Sequence, residues 1–443
     1  MVPTLLTTKL YVPPPCPTLV ERPRLTADLS KAVTRRLSLV SAPAGYGKTT
    51  LVSSWLREAN ITFTWLSLDE GDNDPIRFLQ YFLSALHTIV PTVRLDLLDM
   101  LRGMPTTPIE ALLNRLINEV AEKAAPFMLV LDDFHVIHAP PVLEMLAFLL
   151  DHLPPQMHLI CLCRADPPLP LARLRVHEQL VDIRAEQLRF TLDEIAVFLN
   201  RMMGLNLLAD DLSAMEARTE GWIAGLQLAA LSLQGRQNTH DFVAAFTGSH
   251  AYIMDYLTEE VLKLQPESVR SFLLQTSILD RLCSPLCEAI VEANQTSPVE
   301  GQAMLEALER MNLFVIPLDD ERRWYRYHHL FADVLNRRLE HLFPQRLADL
   351  HRRASQWYDQ NGFIAEAAHH ALLAGDPDHA AQLVVQHGRS LLMSGEVVTL
   401  MNLIEAVEPQ AQTHPWLAVQ KAWPSRSPAG WTRQSKCWTR PSN

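Results

Sequence analysis

The sequence has little cysteine, no long apolar run and no concentrated block of charge. Its six cysteines, Cys16, Cys161, Cys163, Cys283, Cys287 and Cys437, are scattered through 443 residues. That is too sparse for a disulfide-held scaffold and fits a reducing cytoplasm. Cys283 and Cys287 have no second pair at metal-ligand spacing, so they read as a helix-start and a core cysteine. No charge-free apolar stretch of about 18 residues occurs, so no membrane-spanning helix is expected. The first residues lack the apolar core of a secretory signal and are interrupted by Lys9 and by Pro13, Pro14 and Pro15. The net charge of −11 argues against a nucleic-acid-binding face. None of the seven lysines follows an asparagine, so the Asn-Lys-x-Asp signal for guanine is missing and adenine is favoured.

What is present is an ordinary globular composition, 48% apolar and 20% charged, in a chain long enough for about three domains. Residues 1–30 are proline-rich and read as an extended arm. Strands are expected at 36–41, 63–68, 127–131 and 158–163. Helices are expected near 48–59, 76–90, 109–124 and 141–152. This alternation predicts a parallel α/β sheet covered on both faces. From 192 to 233 the apolar spacing of three and four is helical. Helices continue to about 340, interrupted by one hairpin with its turn at Asp319-Asp320-Glu321, which resembles a winged-helix unit. From about 345 alanine-rich helical pairs begin, with a stop and restart at Gly375-Asp376-Pro377. They look like the start of a TPR-like solenoid. Residues 424–443 carry no Leu, Ile, Val, Met or Phe, and read as a disordered or frameshifted tail.

The chemistry is concentrated at Ala42-Pro43-Ala44-Gly45-Tyr46-Gly47-Lys48-Thr49-Thr50. Placed between a strand and a helix, this is a Walker A loop with Ala42 at the usual first glycine. Gly45 and Gly47 let backbone N–H groups, from Ala44 to Thr50, face phosphates. The helix N-terminus adds positive potential. Lys48 would reach the β- and γ-phosphates and Thr49 would join Mg²⁺. An apolar run ends in Asp132-Asp133, where Asp132 would hold Mg²⁺ through water. Asp133 would orient the attacking water, as a base or by hydrogen bonding, so Asp133 and Lys48 are the candidate catalytic residues. The other reading of the two acids is a simple turn. Arg164, at the next strand tip, is either a γ-phosphate sensor or a surface partner of Asp166.

These stretches, taken in order, resemble one family. Thr8-Lys9-Leu10, Glu21-Arg22-Pro23-Arg24-Leu25, the Walker A loop, Trp65-Leu66-Ser67-Leu68-Asp69 and Leu129-Val130-Leu131-Asp132-Asp133 carry the resemblance. So do Arg164 to Pro170, Glu220 to Leu228 and Tyr327-His328-His329-Leu330-Phe331. Together they are similar to the regulatory part of the MalT-like transcription regulators, LuxR-type members of the STAND class of P-loop ATPases. The resemblance implies a switch in which ADP holds an inactive monomer, while ATP and an inducer of unknown identity release a homo-oligomer. Slow hydrolysis would reset it. It implies that Arg22 lies near the adenosine pocket. It further implies that His328 can touch the ADP β-phosphate, although a core or surface histidine is the other reading. The implied division is an arm (1–30), a P-loop nucleotide-binding domain (31–190), a helical domain (191–248), a winged-helix domain (249–343), the start of the repeats (344–422) and a tail (423–443). The terminal helix-turn-helix of that family is not recognisable in the sequence, so no direct DNA binding by this chain is expected. Two alternatives remain, an AAA-type remodelling enzyme and a non-functional remnant.

Overall fold

The computed structural model describes residues 6–14, 19–91, 109–123, 125–234, 239–248, 250–291, 300–393, 403, 404 and 407. The chain divides into two compact units, Met1–Arg270 with Gln302–Val334, and Ser271–Gly301 with Leu335–Asn443.

The first unit is built on five parallel strands: β1 (Leu37–Ser41), β2 (Phe63–Ser67), β3 (Phe127–Asp132), β4 (Met157–Cys163) and β5 (Leu180–Arg184). Their order is β2-β3-β4-β1-β5. β1 and β3 are buried along their whole length, the burial of a sheet covered on both faces. The expected helices are present as α2 (Lys48–Glu58), α3 (Pro75–His87), α4 (Ile109–Lys123) and α5 (Pro140–Asp151), following α1 (Pro23–Leu29). α3 starts where the sequence says it should: the Asp74 carboxylate accepts the Arg77 N–H and Pro75 takes the first turn. Its Phe78, Phe82 and Leu86 join Leu116, Leu129, Leu146 and Leu159 in one core.

Two expectations change. The sheet has a fifth strand, where the sequence suggested four. β5 pairs with β1 from Leu37↔Leu180 to Ser41↔Arg184 and fully buries only Val181 and Ile183. The arm is not simply extended. It holds a helical turn, Thr7–Leu10, and α1, whose Pro23 occupies a first-turn position where its fixed φ suits a helix. Lys9 is buried and pairs with Asp69 and Asp72.

Beyond the sheet, the first unit continues with α6 (Leu192–Ala196), which runs into a wide π turn, Val197–Met202. α7 (Ala209–Thr219), α8 (Ile223–Leu233) and α9 (Ala251–Leu257) follow, and α9 ends in a second π turn, Thr258–Leu262. The expected hairpin is β6 (Val315–Pro317) against β7 (Tyr325–Tyr327), antiparallel.

In the second unit, α10 (Pro344–Gln360), α11 (Ile364–Leu373) and α12 (Pro377–Met393) form the alanine-rich pairs. Ala354, Ala367, Ala371, Ala380 and Ala381 are buried, the small residues that let helices approach closely. The Asp376 carboxylate accepts the His379 N–H, 3.1 Å away, and so caps α12. His351 and His370 face each other, Nδ1 to Nδ1 at 2.8 Å. Apart from 403, 404 and 407, the expected repeats beyond 393 and the tail at 423–443 lie outside the described residues. Among the described residues no helix is long and apolar enough to cross a membrane. Cys161, Cys163, Cys283 and Cys287 are buried and unbridged.

Candidate nucleotide site

The carboxyl ends of β1, β3 and β4 define one rim, the edge at which open α/β sheets bind ligands. The Walker A loop leaves β1 there. Gly45 and Gly47 both have positive φ, +76° and +77°, which only glycine adopts without strain. Gly45 is also closely covered. A Cβ on it would meet Ala224 Cβ at 2.5 Å and Trp222 Nε1 and the Tyr256 hydroxyl at 2.9 Å. Two hydrogen bonds fix this cover: Trp222 Nε1 donates to Ala44 O at 3.0 Å, and the Ala224 N–H donates to Gly45 O at 3.1 Å.

Gly47 caps α2, so the first N–H groups of an eleven-residue helix follow the loop directly. The Lys48 ammonium lies back on its own loop, donating to Ala42 O at 2.8 Å and Pro43 O at 2.9 Å. Desolvation pushes it down to about 8, with the Arg164 charge acting in the same direction and Asp133 and Asp132 opposing. Thr49 Oγ1 meets both oxygens of Asp132, at 3.2 and 3.1 Å. Asp132 is buried, and burial followed by the Asp133 charge raises its pKa to about 6. Asp133 has φ +54° and an exposed side chain, and its N–H donates to Asp132 Oδ1 at 3.0 Å. The loop, Thr49, Asp132 and Asp133 are therefore brought together as expected.

His135 was not anticipated. Its Nδ1 lies 3.8 Å from Asp133 Oδ1 and is buried without a hydrogen bond. Burial lowers its pKa to about 4, so it is a neutral imidazole beside the acids. The signal is available in Asp132-Asp133-Phe134-His135, but a histidine three residues past a strand end has no fixed direction on paper.

A cavity of about 340 Å³ opens beside the loop, lined among others by Val20, Arg22, Tyr46, Thr50, Phe190 and Ile223. Arg22 lies over the Phe190 ring at 4.3 Å, pairs with Glu194 and donates to Arg189 O at 2.7 Å. Arg22 and the Walker-loop residues Gly45, Tyr46 and Gly47 thus line the same cavity. Arg164 does not pair with Asp166. It donates to Glu260 O at 3.0 Å and pairs with the Glu260 carboxylate at 3.4 Å, while Asp166 pairs with Arg184.

His328 is fully buried, its Nε2 2.9 Å from Thr219 O and its Nδ1 without a partner. Burial lowers its pKa to about 4. Its ring is edge-on to Trp222 and to Phe314, at 6.0 and 5.7 Å. Trp222 therefore touches both His328 and the Walker loop. Phe314, itself at φ +57°, packs against Tyr46, Trp222 and Phe331. Asn312 donates to Ser41 Oγ at 3.0 Å. Below this, Glu220 grips Arg326 with both oxygens, at 2.7 and 2.8 Å, and accepts the His329 N–H at 3.1 Å. Burial alone would raise the Glu220 pKa, but the Arg326 hydrogen bonds, with nearby positive charge, bring it down to about 2. The residues preceding β6 and those in and after β7 thus reach both the P-loop and the helices that roof it.

A Walker A loop with glycines at both left-handed positions, a helix N-terminus behind it, a threonine facing an acid and an adjoining cavity fits a nucleoside di- or triphosphate with a divalent cation.

Comparison with known proteins agrees with this geometry. Residues 31–163 match the profile described as "AAA domain" and residues 258–347 match "MalT winged helix domain". The serine/threonine-protein kinase PknK of Mycobacterium tuberculosis is 36% identical over 91% of this chain and 36% of its own length. The HTH-type transcriptional regulator MalT of Klebsiella pneumoniae is 35% identical over 95% of this chain and 46% of its own. MalT of Vibrio cholerae is 32% identical over 92% and 45%. The chain spans less than half the length of these curated relatives.

Proposed function

From a MalT-like chain that joins an AAA domain to a MalT winged helix domain, we propose a nucleotide-controlled switch serving a transcription regulator in the cytoplasm. In this reading it binds ATP or ADP with Mg²⁺. It hydrolyses ATP slowly, and it passes from a closed monomer to a homo-oligomer when an inducer binds. The observation that carries the reading is the roof over Gly45. Trp222 is bonded to Ala44 O and packed on Phe314 and His328, so the phosphate loop and the winged-helix segment share a side chain. A change at the loop is then felt by the segment beside β6 and β7.

The residues divide the work. Backbone N–H groups of Ala44 to Thr50 and the Lys48 ammonium hold phosphate oxygens. Thr49 and Asp132 hold the cation, which supplies charge neutralisation when bound. Asp133 orients a water or takes its proton. Arg22 borders the nucleoside cavity. Arg164 senses the terminal phosphate, and His328 reports to the winged-helix side. Buried, unbridged cysteines accord with a reducing compartment.

The test is the nucleotide content of the purified full chain, read by chromatography after denaturation, together with its mass in solution with ATP or ADP. Retained adenine nucleotide, turnover slower than a few per minute and a larger species with ATP are expected. Lys48→Ala should elute empty. A chain without nucleotide, whose affinity for ATP and ADP is unchanged within threefold by Lys48→Ala, would sink the reading.

A further inference from the structure

Arg164 follows β4 directly, and the Ala42 N–H donates to Cys163 O at 3.2 Å, which places Arg164 beside the start of the phosphate loop. Its hydrogen-bond partner is far away in sequence. One arm of the guanidinium donates to the backbone oxygen of Glu260, and the other reaches the Glu260 carboxylate. Glu260 lies in the π turn that ends α9, where Lys263 N–H reaches back five residues to Thr258 O. Such turns place carbonyls outside the regular ladder and recur at functional sites. The same helix carries Tyr256, whose hydroxyl lies against Gly45. One helix thus touches the phosphate loop at Tyr256 and occupies Arg164 at Glu260. Glu260 also lies within the matched winged helix region, while the Walker loop lies in the AAA match.

We propose that Glu260 is a built-in competitor for the terminal phosphate: its carboxylate holds Arg164 in the closed form, and a nucleoside triphosphate must take the guanidinium from it. This deepens the switch reading and rests on Arg164 being the phosphate sensor. A carboxylate and a γ-phosphate offer the same paired oxygens to a planar guanidinium, so one arginine cannot satisfy both at full strength. A diphosphate makes no such claim. Glu260 therefore sets the preference between ADP and ATP without touching the nucleotide, as a positioning residue acting through Arg164. Its side chain is half exposed, at 49%, so removing the charge should leave the fold intact.

The experiment measures ATP and ADP affinities of the full chain by titration calorimetry, for the parent, Glu260→Gln, Arg164→Ala and the double variant. Glu260→Gln should raise ATP affinity relative to ADP by about fivefold, the scale of a partly exposed ion pair. Glu260→Asp should give a smaller gain. Arg164→Ala should lower the ATP to ADP ratio, and the double variant should match Arg164→Ala alone. A Glu260→Gln chain with an unchanged ratio, or with both affinities raised equally, overturns the competition while leaving the sensor role of Arg164 in place. An Arg164→Ala chain with an unchanged ratio overturns both.

Discussion

Trp222 Nε1 and the carbonyl of Ala44 are hydrogen-bonded at 3.0 Å across 178 residues of chain, and Trp222 is fully buried. The bond ties the start of α8 to the middle of the Walker loop. It satisfies a loop carbonyl that the helix bonds of α2 do not reach.

Trp222→Phe keeps most of the ring packing and removes that donor. A buried carbonyl left unpaired costs about 1–3 kcal/mol. The Walker loop should loosen, and ADP affinity should drop by threefold or more with little change in far-ultraviolet circular dichroism. Calorimetry checks it. ADP affinity at the parent level would mean that the roof does not shape the loop.

Asp133→Asn should slow hydrolysis at least tenfold and leave binding within threefold, because the amide keeps the shape and gives up proton acceptance. Asp132→Asn should instead weaken the Mg²⁺ dependence of binding, since Asp132 is the acid facing Thr49. Single-turnover hydrolysis and Mg²⁺ titration separate the two. If both variants behave alike, the division between holding the cation and orienting water is wrong.

Glu220 is 7% exposed at its side chain and Arg326 15%, so breaking their pair leaves a buried charge unmatched. Glu220→Gln should destabilise the first unit by about 3 kcal/mol. Adding Arg326→Met should recover part of the loss, because the most deeply buried guanidinium is then gone, while Arg189, 3.4 Å from Glu220, still loses its carboxylate. The sign with pH also follows. The Glu220 carboxyl is held down to about 2, so its contribution is present above the ordinary glutamate range and is lost as pH falls toward 2. Urea unfolding of Glu220→Gln, Arg326→Met and the double variant gives the coupling, and additive losses would exclude it.

His351 and His370 in the second unit behave in the opposite charge sense. Burial chiefly, with His369 acting in the same direction, holds His351 at about 4, and burial with His351 and His369 beside it holds His370 at about 3. The folded pair is neutral at pH 5, where an unfolded chain, titrating near 6.5, binds protons. Stability is therefore complete above about pH 7 and falls as pH drops through 6.5 toward 4, by at most ~1.4 kcal/mol per pH unit for each histidine. Hydrogen exchange in α10 and α11 should quicken from pH 7 to pH 5 beyond the intrinsic change. His370→Leu should roughly halve that slope. An unaltered slope would show that the pair does not report on acid.

The Walker loop and its acids were legible because their signals are local. Six residues between a strand and a helix, and two acids at a strand end, specify their own geometry. β5 was not legible. Leu180-Val181-Asp182-Ile183-Arg184 reads as loop until β1 is beside it, since only two of its side chains enter the core. The partner of Arg164 was equally hidden. Asp166, two residues away, is the obvious acid, but Arg184 on the neighbouring strand claims it and Glu260, 96 residues on, takes Arg164. Trp222 lay within a stretch singled out in the sequence. Its contact with Ala44 is a fact of tertiary packing that no spacing could announce.

The strand order has a consequence for how this protein is made. β1 leaves the ribosome first among the strands, yet it ends between β4 and β5, the last two of its five-stranded sheet. About 140 residues must be synthesised before both edges of Leu37–Ser41 are covered, which takes roughly 7–30 seconds at bacterial elongation rates. Until β4 and then β5 are made, Leu37, Leu39 and Val40 lack their sheet partners on one edge or both, and so does the strand that carries the Walker loop. Chaperone capture of nascent chains should therefore begin soon after β1 emerges and end once Arg184 clears the exit tunnel.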